Sequence, residues 1–242
     1  RSWRDAIAPH AVLLETPRSS VRPRQLVVEP LPWPALLHCV RRHDGPWADQ
    51  SQAEFLDELL WELPERDRSP LATLVRIVQE RRLRASSAAI RGGQPVVCFS
   101  ARPLEQLATL RRYQRHRRRW DFEPYGLAIR REWLEAQGAR PVRYGDDTLW
   151  ESLADAERPW FQRQTTRARR SAPHPPTRLT LPTTDWTVED EWRAVGDVDL
   201  STLSADAAVL FVAEDRDADR LRLITRWPIV VLRAYTIGNP GD

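Results

Sequence analysis

Between Trp186 and Arg193 the chain gathers Glu189, Glu191, Arg193 and two indoles, Trp186 and Trp192, within eight residues. On a β-strand, side chains alternate between faces. Glu189, Glu191 and Arg193 would then share one face, and Val188 and Trp192 the other. Neighbours two apart on a strand lie roughly 6.5–7 Å from each other, which makes an acidic site on an aromatic floor. A carboxylate so placed can orient a ribose hydroxyl. It can also stabilise positive charge at a sugar C1′, the electrostatic need met in glycoside cleavage. The pattern also fits a helix capped by Asp185, running to Val195 and ended by Gly196. In that case Glu189 and Arg193 are an i,i+4 pair worth about 0.2–0.5 kcal/mol. The residues alone leave both open.

Two other features could carry chemistry. His38 sits inside the apolar run Leu36–Val40. It is either a core-edge histidine or a strand histidine that bonds a ligand hydroxyl. The densest positive charge lies at 111–119, where six of nine residues are Arg, followed by Trp120. Arg115, Arg117, Arg118 and Arg119 are the candidate nucleic-acid contacts, because basic clusters with aromatics follow a phosphate backbone and stack a base. The alternative is a solvated helix end whose cations favour the C-terminal dipole. Arg167, Arg169 and Arg170 form a weaker second cluster.

Several chemistries are excluded by pattern. Gly92-Gly93 belongs to neither a P-loop nor a dinucleotide fingerprint, and Ser100 has no nucleophile elbow. His10, His43, His116 and His174 show no metal spacing relative to one another or to Cys39 and Cys98, so no metal site is expected. The two cysteines lie in apolar strand-like runs and are expected to be free thiols of a reducing cytoplasm. No apolar run approaches 18 residues, so no membrane span is expected.

The elements that must position these residues follow from periodicity. Composition is that of a globular chain of 242 residues, 41% hydrophobic and 29% charged, with net charge +3. All 37 basic residues are Arg, and Trp occurs 11 times. Strands are expected at 25–29, 36–40, 95–100, 125–130, 141–144, 208–213 and 228–232. Helices are expected at 46–62 (capped by Asp49 or Ser51, with Phe55, Leu59 and Leu60 at helical spacing) and from Ser69-Pro70 onward. Further helices are expected at 103–119, at 132–137 before Gly138, at 149–168 with a break at Pro159, and at 217–226. Strands and helices mix without strict alternation, which favours an α+β fold. Residues 1–34 read as an N-terminal extension, 35–235 as one domain and 236–242 as a tail.

The order of these pieces resembles a family. The Leu36–Cys39 strand ending near His38 is followed by the helix Leu71–Arg82 and then Val96–Ser100. Next come Tyr125–Ile129 and Pro141–Tyr144, and the Glu-x-Glu-Trp-Arg element closes the series. This is similar to uncharacterised bacterial proteins grouped around the AbiGi-type abortive-infection family. The front half resembles, more distantly, DarT-like ADP-ribosyltransferases, although Val40 stands where those enzymes usually carry Thr. The resemblance implies a cytoplasmic phage-defence or toxin–antitoxin protein, built of small mixed sheets with flanking helices. It implies an NAD-binding cleft between two sheets. There Glu191 would be catalytic with Glu189 beside it, and His38, Ser100, Tyr125 and Arg91 would contact NAD. Arg84 is an alternative to Arg91. The acceptor would be nucleic acid or protein. The alternative from another class is a non-catalytic nucleic-acid- or protein-binding module on the same scaffold.

Overall fold

A computed structural model describes residues 25–26, 30–61, 67–88, 90–109, 113–114, 119–120, 122–164, 186–232 and 234–235. In chain order its strands are β1 (Gln25–Leu26), β2 (Ala35–Cys39), β3 (Arg82–Leu83), β4 (Val96–Ser100), β5 (Tyr113–Gln114), β6 (Arg119–Trp120), β7 (Gly126–Arg130), β8 (Arg140–Pro141), β9 (Arg143–Gly145), β10 (Phe161–Arg163), β11 (Glu191–Val195), β12 (Val198–Asp199), β13 (Ala208–Val212), β14 (Ile229–Val231) and β15 (Ala234–Tyr235). The helices are α1 (Gln52–Leu60), α2 (Pro70–Glu80), α3 (Leu104–Thr109), α4 (Arg131–Ala136), α5 (Asp147–Ser152) and α6 (Asp215–Arg222), with 3₁₀ turns at Asp155–Trp160 and Trp186–Glu189.

The fold is α+β. One seven-stranded sheet runs in the order β14-β13-β7-β2-β4-β11-β8. Its pairs are antiparallel, except β13 with β14. The resemblance implied small sheets around a cleft. Here one large sheet dominates, and the remaining strands form two-stranded additions.

Both faces of the sheet are covered, which explains why its central strands are continuously apolar. Ala208–Val212 is buried at all five positions. One face carries Leu36, Val97, Phe99, Leu127, Ile129 and Leu210, packed on Leu74 and Val78 of α2, Leu134 of α4 and Leu221 of α6. The other carries Leu37, Ala128, Val209 and Phe211 beneath Leu104, Phe122 and Leu232. Close packing of the strands also sets Gly126. A Cβ there would lie 2.2 Å from the His38 carbonyl oxygen and 2.5 Å from Phe211.

Helix starts follow their caps. Ser51 accepts from the Glu54 amide while Glu54 accepts from the Ser51 amide, a reciprocal capping box. Ser69 caps α2, and Pro70 occupies its first turn. Three expected elements differ. The helix expected over 103–119 ends at Thr109, and β5 pairs with β6, setting Tyr113 against Trp120. Past Leu110 the sequence has no apolar repeat, and Arg111, Arg115 and Arg119 would repel at the i,i+4 spacing of a helix. The helix expected over 149–168 is α5, a 3₁₀ turn containing Pro159, and then β10, which pairs parallel with β9. Proline lacks the amide that would continue an α-helix. The strand expected at 141–144 is split between β8 and β9, which serve different partners.

The Arg and Trp excess has a structural counterpart. Among the described residues, guanidinium groups stack on Trp33, Trp47, Trp150, Trp160, Trp192 and Trp227, at 4.5–5.6 Å from the ring centroid. A planar guanidinium does this better than an ammonium, so these positions are not interchangeable with Lys.

Candidate functional site

The acidic element is a strand, but it begins at Glu191 rather than Glu189. Trp186–Glu189 forms a 3₁₀ turn, and Asp190 follows at φ 46 in the left-handed region, which Asp tolerates better than most residues. This turn takes Glu189 off the strand, so Glu189 does not join Glu191 in a row of alternating side chains. The expected sharing of a face by Glu191 and Arg193 is observed, with Trp192 on the opposite, core side.

Glu191 and Arg193 form a bidentate ion pair. Arg193 Nε donates to one carboxylate oxygen at 2.8 Å and Nη2 to the other at 3.1 Å. The remaining donors go to Pro159 O at 3.0 Å, Phe161 O at 2.7 Å and Gln162 Oε1 at 2.6 Å. All five N–H groups of the fork are therefore used. Arg193 is 1% exposed and Glu191 9%. Trp160 Nε1 donates to the Arg193 carbonyl at 2.8 Å, and the Glu191 amide donates to the Tyr144 hydroxyl at 2.9 Å. Together these bonds fasten β11 to the 159–162 segment. Removing a buried arginine with this many partners would strand an unpaired carboxylate and free carbonyls.

Ser100 lies opposite Glu191 in the β4–β11 register and opposite Leu37 in the β2–β4 register. It is buried; its hydroxyl donates to Glu189 O and accepts from the Arg102 amide at 3.2 Å. His38 leaves the other face of the sheet. It stands between Leu36 and Val40 of the helix-covered core and meets Phe99 edge-on at 5.8 Å. Its backbone is two strand spacings from Glu191, roughly 10 Å, but the sheet lies between the two side chains. His38 Nδ1 donates to Cys98 O at 3.0 Å. Burial holds its pKa below the usual 6.5, against that backbone bond, with Arg41 adding to the depression.

The other candidate NAD contacts are engaged elsewhere. The Tyr125 hydroxyl donates to buried Asp217 at 2.8 Å, tying β7 to α6, and burial together with that carboxylate pushes its pKa up. Arg91 pairs with Asp147 and stacks on Trp150 at 4.5 Å. Arg84 bonds Glu80 at 2.9 Å. The structure thus brings Ser100 and Glu191 together and leaves His38, Tyr125 and Arg91 in separate environments. Arg115, Arg117 and Arg118 lie outside the described residues; Arg119 is described only by its backbone in β6. Cys39 and Cys98 are free thiols, both pushed up to about 12 by burial, Cys98 also by the nearby Glu191 carboxylate. Among the described residues no group of three or more His, Cys, Asp or Glu could hold a metal, and no helix is long and apolar enough to cross a membrane.

One surface was not anticipated. The sequence sets Phe55, Leu59 and Leu60 of α1 at the spacing of a buried stripe, yet α1 buries none of its residues. Leu56 and Leu59 are each 48% exposed, and Leu60 and Trp61 each 74%. The helix is held to the body at its other edge. Arg68, 4% exposed, stacks between Phe55 and Trp47 at 4.8 and 4.7 Å and bonds Glu58 at 2.6 Å. Beside this contact runs an open groove of about 640 Å³, lined by Trp47, Asp49, Glu54, Asp57 and Glu58 among others. The only signal in the sequence was local charge. Residues 44–67 hold eight carboxylates and one arginine, net −7, against 36 arginines and 26 carboxylates, net +10, in the rest. Comparison of the chain with protein-family models, with curated proteins and with solved structures finds no match.

Proposed function

We propose that the chain is a non-catalytic protein-binding module whose contact surface is α1. The observation that carries this reading is the run Leu56, Leu59, Leu60 and Trp61, which is exposed on a helix with no buried residue. Helices in proteins draw most of their stability from packing an apolar face. Contiguous exposed apolar surface marks a contact site. Leu at i, i+3 and i+4 with an adjacent Trp supplies the anchors used when a helix docks into a partner, and Trp is enriched among residues that dominate binding energy.

NAD cleavage fits the geometry less well. Both oxygens of Glu191 are taken by Arg193, so its charge is already neutralised where a catalytic carboxylate must act on a developing cation. His38 lies across the sheet from it.

The test is selection of a random 16-residue peptide library on the wild type, with counter-selection on Leu56→Ser/Leu60→Ser/Trp61→Ser. These changes lie on the surface and should leave stability within about 0.5 kcal/mol of wild type. The expected result is enrichment of amphipathic sequences that the triple variant does not retain. Failure to enrich against the variant, or NAD consumption by the wild type that Glu191→Gln abolishes, would overturn the reading.

A further inference from the structure

We infer that α1 is a hinged flap: residues 47–61 leave the body as one unit, released at Arg68, while the sheet stays folded. A helix is normally kept in place by its buried apolar face, and α1 has no buried residue. Among the described residues, neither apolar core includes Trp47, Phe55, Leu56, Leu59, Leu60 or Trp61. Between α1 and α2 stands the open groove rather than packed side chains, with Glu54 and Asp57 on one wall and Val75 and Gln79 on the other.

The attachment is polar and passes through few groups. Arg68 Nη2 donates to Glu58 at 2.6 Å and to Gln50 at 2.7 Å, and its guanidinium stacks on Phe55 and Trp47. Arg76 pairs with Asp49 and also stacks on Trp47, as does His43. Arg68 is 4% exposed, yet its Nε and Nη1 have no hydrogen-bond partner among the described residues. A buried donor without an acceptor costs free energy that water returns. Opening hydrates both donors and the Glu58 carboxylate, which offsets much of the ion pair that is lost. Arg68 is therefore a weak latch. Gly45 supplies the hinge: its φ is 154, a region open to glycine, and a Cβ there would meet nothing within 4 Å. At the other end, Asp67 accepts from the Ser69 amide and Ser69 from the Ala72 amide, so α2 keeps its cap without α1. Once detached, α1 has only nine residues. Isolated helices shorter than about 12–15 residues are marginal in water, so it melts despite its capping box. The open state adds the Phe55 and Trp47 rings to the exposed leucines, and the position of the flap thereby sets how much apolar surface the protein presents.

The flap stands whether or not α1 binds a partner, so its failure and that of the docking reading are separate results. The experiment is native-state hydrogen exchange on the full chain, read by NMR and corrected for intrinsic rates. The amides of residues 55–61 are expected to share one opening constant and to exchange at least about a hundredfold faster than those of β13, the fully buried strand. Arg68→Leu is expected to speed α1 exchange by about tenfold or more, with β13 remaining the slower set. Glu58→Gln, which keeps the shape of the latch and removes its counter-charge, should act in the same direction to a smaller extent. Protection that rises gradually towards the middle of α1 would mean fraying and overturn the flap. Exchange of α1 together with β13 would make them one cooperative unit and overturn it equally. Rates in α1 that neither variant moves would remove Arg68 as the latch. Should Arg68→Leu fail to fold, the wild type and Glu58→Gln decide the outcome.

Discussion

Glu191→Gln is the most informative single change, because catalysis and architecture give it opposite readouts. It keeps the shape of the side chain and removes its charge. Arg193, 1% exposed, would then face a neutral amide across a pair now bonded at 2.8 and 3.1 Å. Leaving one member of a buried pair without its counter-charge costs about 3–5 kcal/mol. A chain of this size loses roughly 2–4 °C of melting temperature per kcal/mol, so the expected drop is about 6–20 °C. Arg193→Met should cost as much, since it frees the Pro159 and Phe161 carbonyls as well as the carboxylate. Combining the two changes removes both charges, so the double variant should be more stable than the sum of the single losses by about 0.5–3 kcal/mol. The assay is urea unfolding followed by tryptophan fluorescence and far-UV circular dichroism on all four proteins. Trp160, bonded to the Arg193 carbonyl, makes fluorescence a local reporter as well. A Glu191→Gln protein that unfolds within about 1 kcal/mol of wild type would refute the structural account of the pair.

Two further outcomes follow from the same packing. His38 has its folded pKa held below the unfolded value by burial, so the unfolded state takes up its proton first. Stability should therefore be full above about pH 6.5 and fall as the pH drops below it, by at most about 1.4 kcal/mol per unit for this one group. Urea midpoints at pH 7.5 and 5.5 should converge in His38→Asn; an unchanged slope would assign the pH dependence to other groups. Gly126→Ala should cost more than about 4 kcal/mol, because the added Cβ meets the His38 carbonyl oxygen, part of the neighbouring strand's backbone. A soluble variant with a wild-type midpoint would show that β2 and β7 separate freely.

Local chemistry was enough to find most elements. Ser51 with Glu54, and Ser69 with Pro70, mark helix starts because capping is decided within four residues. The buried strands at 126–130 and 208–212 show as apolar runs because a strand covered on both faces has no polar side to display. Glu191 and Arg193 could be placed on one side of β11 because alternation is a backbone property. What lies across a sheet is not local. Whether Glu191 meets His38 depends on which strands separate them and on which face each side chain leaves. The insertion of β4 between β2 and β11, with His38 and Glu191 on opposite faces, settles that through long-range pairing alone. The partner of Arg193 likewise comes from Pro159–Gln162, more than thirty residues away. Helical spacing identified α1, but periodicity cannot say whether an apolar stripe meets a core or solvent. The answer came from Arg68, which occupies the aromatic edge of the helix through Phe55 and Trp47 and leaves Leu56, Leu59 and Leu60 facing outward.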